Sequence, residues 1–138
     1  MRRILMIFTF SGAVALAMQH LWSTSFAAGL TYTCQVLEVY SLANGGRLEA
    51  RGGEGRFTVS RRDGQILGEV LPTLMADKVT VLSPGDGRNS FRSFAFFNMG
   101  QAGPSVQTLD VQEFRSGKQK PFVSFSMGGA GIVTGVCE

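Results

Sequence analysis

Two runs near the ends of the chain, Thr31-Tyr32-Thr33-Cys34-Gln35-Val36-Leu37-Glu38-Val39-Tyr40 and Ile132-Val133-Thr134-Gly135-Val136-Cys137, decide how everything between them is read. Both are rich in β-branched and aromatic residues, the composition of half-buried strands. They also hold the two cysteines of the chain. An even pair in an exported protein reads as a disulfide, whereas a metal or redox pair calls for close Cys-x-x-Cys spacing or a partner His. Joining Cys34 to Cys137, 103 positions apart, stabilises by about 4–5 kcal/mol in the chain-entropy picture of cross-links.

Turn chemistry cuts the intervening chain at Asn44-Gly45-Gly46, Arg62-Asp63-Gly64, Ser83 to Gly87, Gly100 to Pro104, Ser116-Gly117 and Gly128-Gly129. Helical periodicity has no long window in which to develop. The runs left over are Thr31–Tyr40, Arg56–Ser60, Gln65–Val70, Lys78–Leu82, Ser90–Phe97, Val106–Phe114, Phe122–Met127 and Ile132–Cys137. Eight short strands at this spacing predict an all-β domain: a small antiparallel barrel of about eight strands, with a β-sandwich as the alternative. In an eight-strand meander the first and last strands are antiparallel, so the start of one lies opposite the end of the other. A bond between Cys34 and Cys137 then seals the barrel where those two strands meet. The clearest hairpin joins Phe57-Thr58-Val59-Ser60 to Gln65-Ile66-Leu67-Gly68, with Asp63-Gly64 supplying a residue able to take a positive φ. Glu69 to Asp77 does not read as a strand. There Pro72 is placed to open one helical turn with Leu71, Leu74 and Met75 on one side, as a packed connection or, in a sharper form, a lid over a ligand cavity.

The first residues follow a different pattern. Met1-Arg2-Arg3 precedes a mostly apolar stretch from Ile4 to Met18 and then small residues, the layout of a secretory signal peptide; Ser25 and Ala27 suit the −3 and −1 positions of a cut before Ala28. Ile4 to Met18 is also shorter than the ~20 residues a membrane-crossing helix needs. The expected organisation is a signal peptide over 1–27 and one domain over 28–138, periplasmic or secreted, with no stable membrane span once the signal is removed. The whole chain has 13 Lys and Arg, 10 Asp and Glu, a net charge of +3 and one His. Without Arg2 and Arg3, eleven cations face ten anions, a net charge of +1. His20 and Trp22 leave with the same segment.

A domain without His lacks the base of a Ser-His-Asp or Cys-His nucleophile system and the imidazole ligands of zinc, copper and haem sites. Its near-neutral charge offers little counterion-release energy, so nucleic acid is not an expected partner. Asp110 and Glu113 stand three apart on one expected strand and fall on opposite faces, while Glu69 and Asp77 merely flank Pro72, so no carboxylate pair serves a hydrolase. Pro84 to Asn89 and Met127 to Gly131 match no phosphate loop, and Asp86 belongs to no spaced set of calcium ligands. No catalytic residue, metal or cofactor is expected, and the protein is not expected to be an enzyme.

Two features remain as candidates for binding. Arg115-Ser116-Gly117-Lys118-Gln119-Lys120 is a hairpin connection with three cations, an expected binding loop for an acidic partner through Arg115, Ser116, Lys118 and Lys120. Arg61-Arg62 forms a second basic tip. Phe91 to Phe97 carries aromatics on both faces, Phe91 and Phe97 one way and Phe94 and Phe96 the other. Phe94 and Phe96, with Leu71, Leu74 and Met75, make a candidate apolar patch. Phe57, Phe114, Phe122 and Phe125 are expected in the core.

Tyr32-Thr33-Cys34 with Val39-Tyr40, Phe57 to Gly68, Lys120-Pro121-Phe122 and Gly135-Val136-Cys137-Glu138 together resemble a recurring pattern in small exported proteins of Gram-negative bacteria, a resemblance that implies no particular activity. The layout is also loosely similar to the periplasmic C-type lysozyme inhibitors, small disulfide-stapled barrels with an early Tyr-x-Cys and a late Cys. Tyr32-Thr33-Cys34 and Cys137 match that outline; the inhibitors' Ser-Gly-x-x-Tyr loop has only a partial counterpart, Ser116-Gly117 followed by Lys118-Gln119-Lys120 with no Tyr. The expected function is a non-catalytic periplasmic or secreted binding protein that engages a protein or an envelope component through hairpin loops. A small apolar-ligand carrier with a barrel cavity and a lysozyme-inhibitor-like protein are the alternatives.

Overall fold

The computed structural model describes residues 29–128 and 131–138. The signal segment expected at 1–27 lies outside the described residues, as do Gly129 and Ala130 of the last expected turn. Nine strands form one antiparallel sheet: β1 (Thr31–Leu42), β2 (Leu48–Ala50), β3 (Gly55–Ser60), β4 (Ile66–Gly68), β5 (Lys78–Pro84), β6 (Phe91–Asn98), β7 (Pro104–Val111), β8 (Lys120–Met127) and β9 (Gly131–Cys137). Their order across the sheet is β4-β3-β1-β9-β8-β7-β6-β5, with β2 paired to the far half of β1, and the sheet curves into a half-barrel. Each of the eight expected runs contains a strand. The ninth, β2, has no alternation to announce it, since all three of its residues are exposed.

The first and last strands, β1 and β9, meet inside this order as its third and fourth members. Thr33 and Glu138 exchange two backbone hydrogen bonds of 3.0 and 2.9 Å. The next pair inward, Cys34 and Cys137, is therefore a non-hydrogen-bonded pair, where antiparallel Cα atoms come closest. Their Cα atoms lie 4.0 Å apart and a disulfide joins them. Pairing of β1 with β9 continues to Ser41–Gly131 past a bulge between Val36 and Glu38. Only glycine fits at 135 in this contact, because a Cβ there would stand 2.0 Å from the Gln35 carbonyl oxygen.

The half-barrel opens elsewhere, between β4 and β5, which do not pair. Residues 69–77 fill that gap. Thr73 caps the edge of β4: its N–H donates to the Ile66 carbonyl at 3.1 Å and its hydroxyl accepts the Ile66 N–H at 2.8 Å. The Gln107 side-chain amide donates to the Leu71 carbonyl at 2.9 Å, and the Asp77 N–H donates to that of Phe96 at 2.9 Å. Held against β4 in this way, Thr73 cannot join a helical turn, and the turn expected from Pro72 is absent. Leu71 instead takes φ 57°, and a tight turn closes from the Ala76 N–H to the Thr73 carbonyl at 3.0 Å. Leu71 packs against the core while Leu74 and Met75 point to solvent, so the three do not share a side and form no lid.

Strand alternation sends Tyr32, Cys34, Val36, Phe57, Val59, Ile66, Phe91, Leu109, Val111 and Phe122 to the concave face, all buried. Each such large apolar side chain contributes about 1.5–3 kcal/mol on leaving water. Tyr32 meets Phe91 edge-on at 5.4 Å and Phe57 meets Phe122 at 5.2 Å. The β3–β4 hairpin turns through Gly64 at φ 77°, as expected, and packs against Ser93 and Val79. Phe114 and Phe125, expected in the core, are about half exposed. Phe125 has the opposite parity to Phe122 and Ser124 on β8, and Phe114 lies beyond the end of β7.

One polar group on the concave face is unsatisfied. The Ser124 hydroxyl is fully buried and has no hydrogen-bond partner among the described residues. Ser124→Ala removes the buried hydroxyl with almost no change of shape, and an orphaned group of this kind costs about 1–3 kcal/mol. The variant is expected to melt several degrees higher, about 4 °C per kcal/mol for a domain of this size, in a calorimetric scan. A lower melting temperature would show that the hydroxyl is satisfied.

Candidate binding surface

At one end of the half-barrel four parts of the chain come together: Gly29–Leu30, the β3–β4 turn, the β5–β6 loop and the β7–β8 connection. Glu113, only 8% exposed, holds them. Its carboxylate pairs with the Arg61 guanidinium at 2.7 Å, accepts the Gly87 N–H at 3.0 Å and accepts the Tyr32 hydroxyl. Arg61 also donates to the carbonyls of Gly29 at 3.2 Å and Pro84 at 3.3 Å, and its guanidinium lies 5.0 Å over the Tyr32 ring. A buried carboxylate met by a cation and two further donors is a satisfied group that fixes the geometry around it. Asp110 and Glu113 do point to different faces, as expected; Asp110 pairs outward with Arg92 at 2.7 Å. The convergence of Glu113 with Arg61 and Tyr32 lies outside the sequence-based expectations. A signal for it exists in the sequence, because Leu109, Val111 and Glu113 share one parity, and an acid on the inward parity needs a partner.

The expected basic loop lies at this end. Arg115, Ser116 and Lys118 are exposed; Lys120 is half-buried and its ammonium donates to the Arg115 carbonyl at 2.5 Å, so it shapes the loop. Arg115 donates to the Gln112 side chain at 3.2 Å and its guanidinium lies 5.4 Å from the centre of the Phe114 ring. Phe114 itself is 49% exposed, which places an aromatic among the cations. Arg62 and Arg88 stand exposed on the neighbouring turns, so the two basic tips do share an end. The acids there face their own loops. Asp86 accepts the backbone N–H groups of Arg88 and Asn89 at 2.9 and 2.8 Å, and these bonds hold its carboxyl below the usual range. Asp63 is lowered as well, first by the Ser60 hydroxyl and then by backbone N–H groups. Both remain ionised carboxylates tied to local donors, leaving Arg62, Arg88, Arg115 and Lys118 as the groups free to reach a partner.

A second surface runs over the convex face. Thr80, Phe94, Thr108, Phe125, Ile132 and Tyr40 are successive cross-strand partners from β5 to β1. A neighbouring row sets Lys78 beside Phe96, Val106 and Met127. Next to Phe125, Met127 and Ile132 lies an apolar trough of about 240 Å³, closed on its far side by Leu42 and Leu48 of the β1–β2 hairpin. The Tyr40 hydroxyl donates to Glu38, and that bond raises the phenol above its ordinary pKa. The expected patch is thus divided. Phe94 and Phe96 belong to this belt, Leu71 packs on the opposite, concave side, and Leu74 and Met75 project from the 69–77 connection. Beside the disulfide, β1 and β3 turn polar side chains outward, with Thr33, Gln35, Arg56 and Thr58 exposed, while Leu67 of β4 is an exposed apolar neighbour of Thr58.

A wider cleft of about 730 Å³ opens at the β1 bulge between Gln35, Leu37, Glu54, Arg56 and Glu69. All five of these side chains are exposed, and nothing there provides a desolvated reactive group. Among the described residues no three His, Cys, Asp or Glu side chains gather to hold a metal, and no helix is long and apolar enough to cross a membrane. Compared with known proteins, the chain matches no family model, no curated protein and no solved structure.

Proposed function

We propose that this is an exported, non-catalytic binding protein that holds an acidic protein surface or an anionic envelope component on its loop end. The observation that carries this reading is the Glu113 tie. By joining β1, the β3–β4 turn and the β5–β6 loop to the β7–β8 connection, it presents Phe114, Arg115 and Lys118 on a preorganised base. Preorganisation lowers the ordering cost of association, and exposed aromatic and arginine side chains are the types that carry interface energy. Export is supported by the disulfide, which persists outside the reducing cytoplasm, and by the layout of Met1 to Ala28. An apolar-ligand carrier needs an empty interior, and Phe57, Phe91 and Phe122 occupy this one.

Sedimentation with the isolated envelope fraction tests the proposal. The native protein is expected to pellet at low salt and to be released as salt rises toward 1 M, where the screening length falls to about 3 Å. Arg115→Glu with Lys118→Glu, both solvent-exposed changes, is expected to weaken retention about tenfold or more, since each tenfold is about 1.4 kcal/mol. Retention that ignores both salt and the double substitution would refute the loop end as the binding surface.

A further inference from the structure

We infer that the 69–77 connection is a hinge through which two copies of this chain exchange their N-terminal blocks, so that β1 to β4 of each copy pack on β5 to β9 of the other. The single buried cluster is made by both blocks together, with Tyr32, Phe57 and Ile66 from the first and Phe91, Val111 and Phe122 from the second. The ties that hold it cross the same boundary. They are the Cys34–Cys137 bond, the Arg61–Glu113 pair at 2.7 Å, and the ring contacts of Tyr32 with Phe91 and Phe57 with Phe122. Within the sheet the blocks meet only between β1 and β9. Neither block therefore has a core of its own, and one that leaves its own complement must find the same complement elsewhere. A second copy supplies it contact for contact, which is the condition for exchanging an identical element.

The connection is built to open at one place. Thr73 stays with the first block through its two bonds to Ile66, and Asp77 stays with the second through its N–H to the Phe96 carbonyl and its carboxylate to the Asn98 N–H. Between these anchors a single backbone bond, from the Ala76 N–H to the Thr73 carbonyl, closes a turn in which Leu74 is 71% and Met75 87% exposed. Leu71 carries strain. It is the one non-glycine with a positive φ among the described residues, at 57°, and it precedes Pro72, which favours an extended predecessor. Straightening the connection relieves that conformation, and short hinge loops under strain are the ones that invite exchange. It gives up only the turn bond and the Gln107 bond to the Leu71 carbonyl. Residues 69–77, extended, span about 30 Å, enough to carry a block to a neighbouring copy.

Exchange leaves a chemical record. Cys34 and Cys137 are 1% and 0% exposed, so two folded monomers cannot cross-link, whereas exchange joins Cys34 of each chain to the partner's Cys137. Each bond forms as two thiols pass two electrons and two protons to a disulfide oxidant such as oxidised glutathione, which leaves as two thiols. Arg61 of each chain likewise meets the partner's Glu113, so the dimer carries two complete loop ends.

The test is to refold the reduced native chain with oxidised glutathione over a range of concentrations and read the product on a non-reducing gel. Closure within one chain competes at an effective concentration of about 1 mM for a connection this short. Disulfide-linked dimer should therefore hold fewer than about one chain in a hundred at about 1 μM and about one in three at about 500 μM. Inserting Gly-Ser-Gly between Leu74 and Met75 relaxes the hinge at an exposed site and should lower the dimer share about fivefold or more. In dimer made from an equal mixture of isotope-labelled and unlabelled chains, about half of the Cys34–Cys137 linked peptides should join a labelled to an unlabelled strand. Absence of dimer at the highest concentration, a share indifferent to the insertion, or linked peptides that never mix labels would each overturn the proposal.

Discussion

Replacing Cys34 and Cys137 together by Ala is expected to lower the melting temperature by about 15–25 °C. The chain-entropy term for a loop of this length is about 4–5 kcal/mol, a large share of the ~5–15 kcal/mol that holds a domain together, and a domain this size moves about 4–5 °C per kcal/mol. The position of the bond adds to its leverage. The sheet consists of an N-terminal block, β1 to β4, and a C-terminal block, β5 to β9, and β1 against β9 is where the two meet within the sheet. The disulfide staples that junction, with residues 69–77 as the covalent connection between the blocks. Native-state hydrogen exchange in the double-Ala variant should accelerate first in the β1–β9 ladder. A melting temperature lowered by less than about 5 °C would mean that the unlinked chain is already restrained by other contacts.

Glu113→Gln has the second largest expected effect, a loss of about 2–4 kcal/mol in urea unfolding. Removing one partner of a buried ion pair typically costs about 3–5 kcal/mol because the other charge is left behind. Arg61 retains 26% exposure of its side chain and can rehydrate in part, which places the figure toward the lower end. Arg61→Met added to Glu113→Gln removes the stranded charge, so the double variant is expected to lie closer to the native protein than the two single losses summed. A purely additive cycle would show that the pair is not coupled. In Glu113→Gln the loops 84–90 and 112–119 should also exchange their amide hydrogens faster, since the Gly87 N–H and the Arg61 anchor are both weakened.

The fold was largely legible because it is made of local signals. Glycine-bearing turns bound each run, β-branched and aromatic residues fill them, and the two cysteines sit on strands that a meander brings together. What escaped the sequence depends on contacts between distant residues. β2 is paired by the geometry of the Asn44–Gly46 turn rather than by a pattern of its own. The gap between β4 and β5 arises because Thr73 satisfies the edge of β4, a hydrogen bond that no propensity of Leu71-Pro72-Thr73 announces. At the candidate surface, the cations Arg115 and Lys118 could be read as charges, but the base beneath them could not. Glu113 meets Arg61 and Tyr32 across 52 and 81 positions of sequence, and only its inward parity hinted at that need. The aromatic belt was half visible through Phe94 and Phe96. Phe125 reads as core by residue type, but Phe122 and Ser124 define the inner face of β8 and leave Phe125 on the outer one.

Hydrogen exchange of the protein with and without the isolated envelope fraction, read segment by segment, tests the binding surface most directly. Protection is expected in 112–119, 61–63 and 86–89, strongest around Phe114 and Arg115, and it should vanish in the Arg115→Glu, Lys118→Glu variant. Protection confined to Phe94, Phe125 and Ile132, or absent from the loop end altogether, would contradict a preorganised basic platform as the functional site.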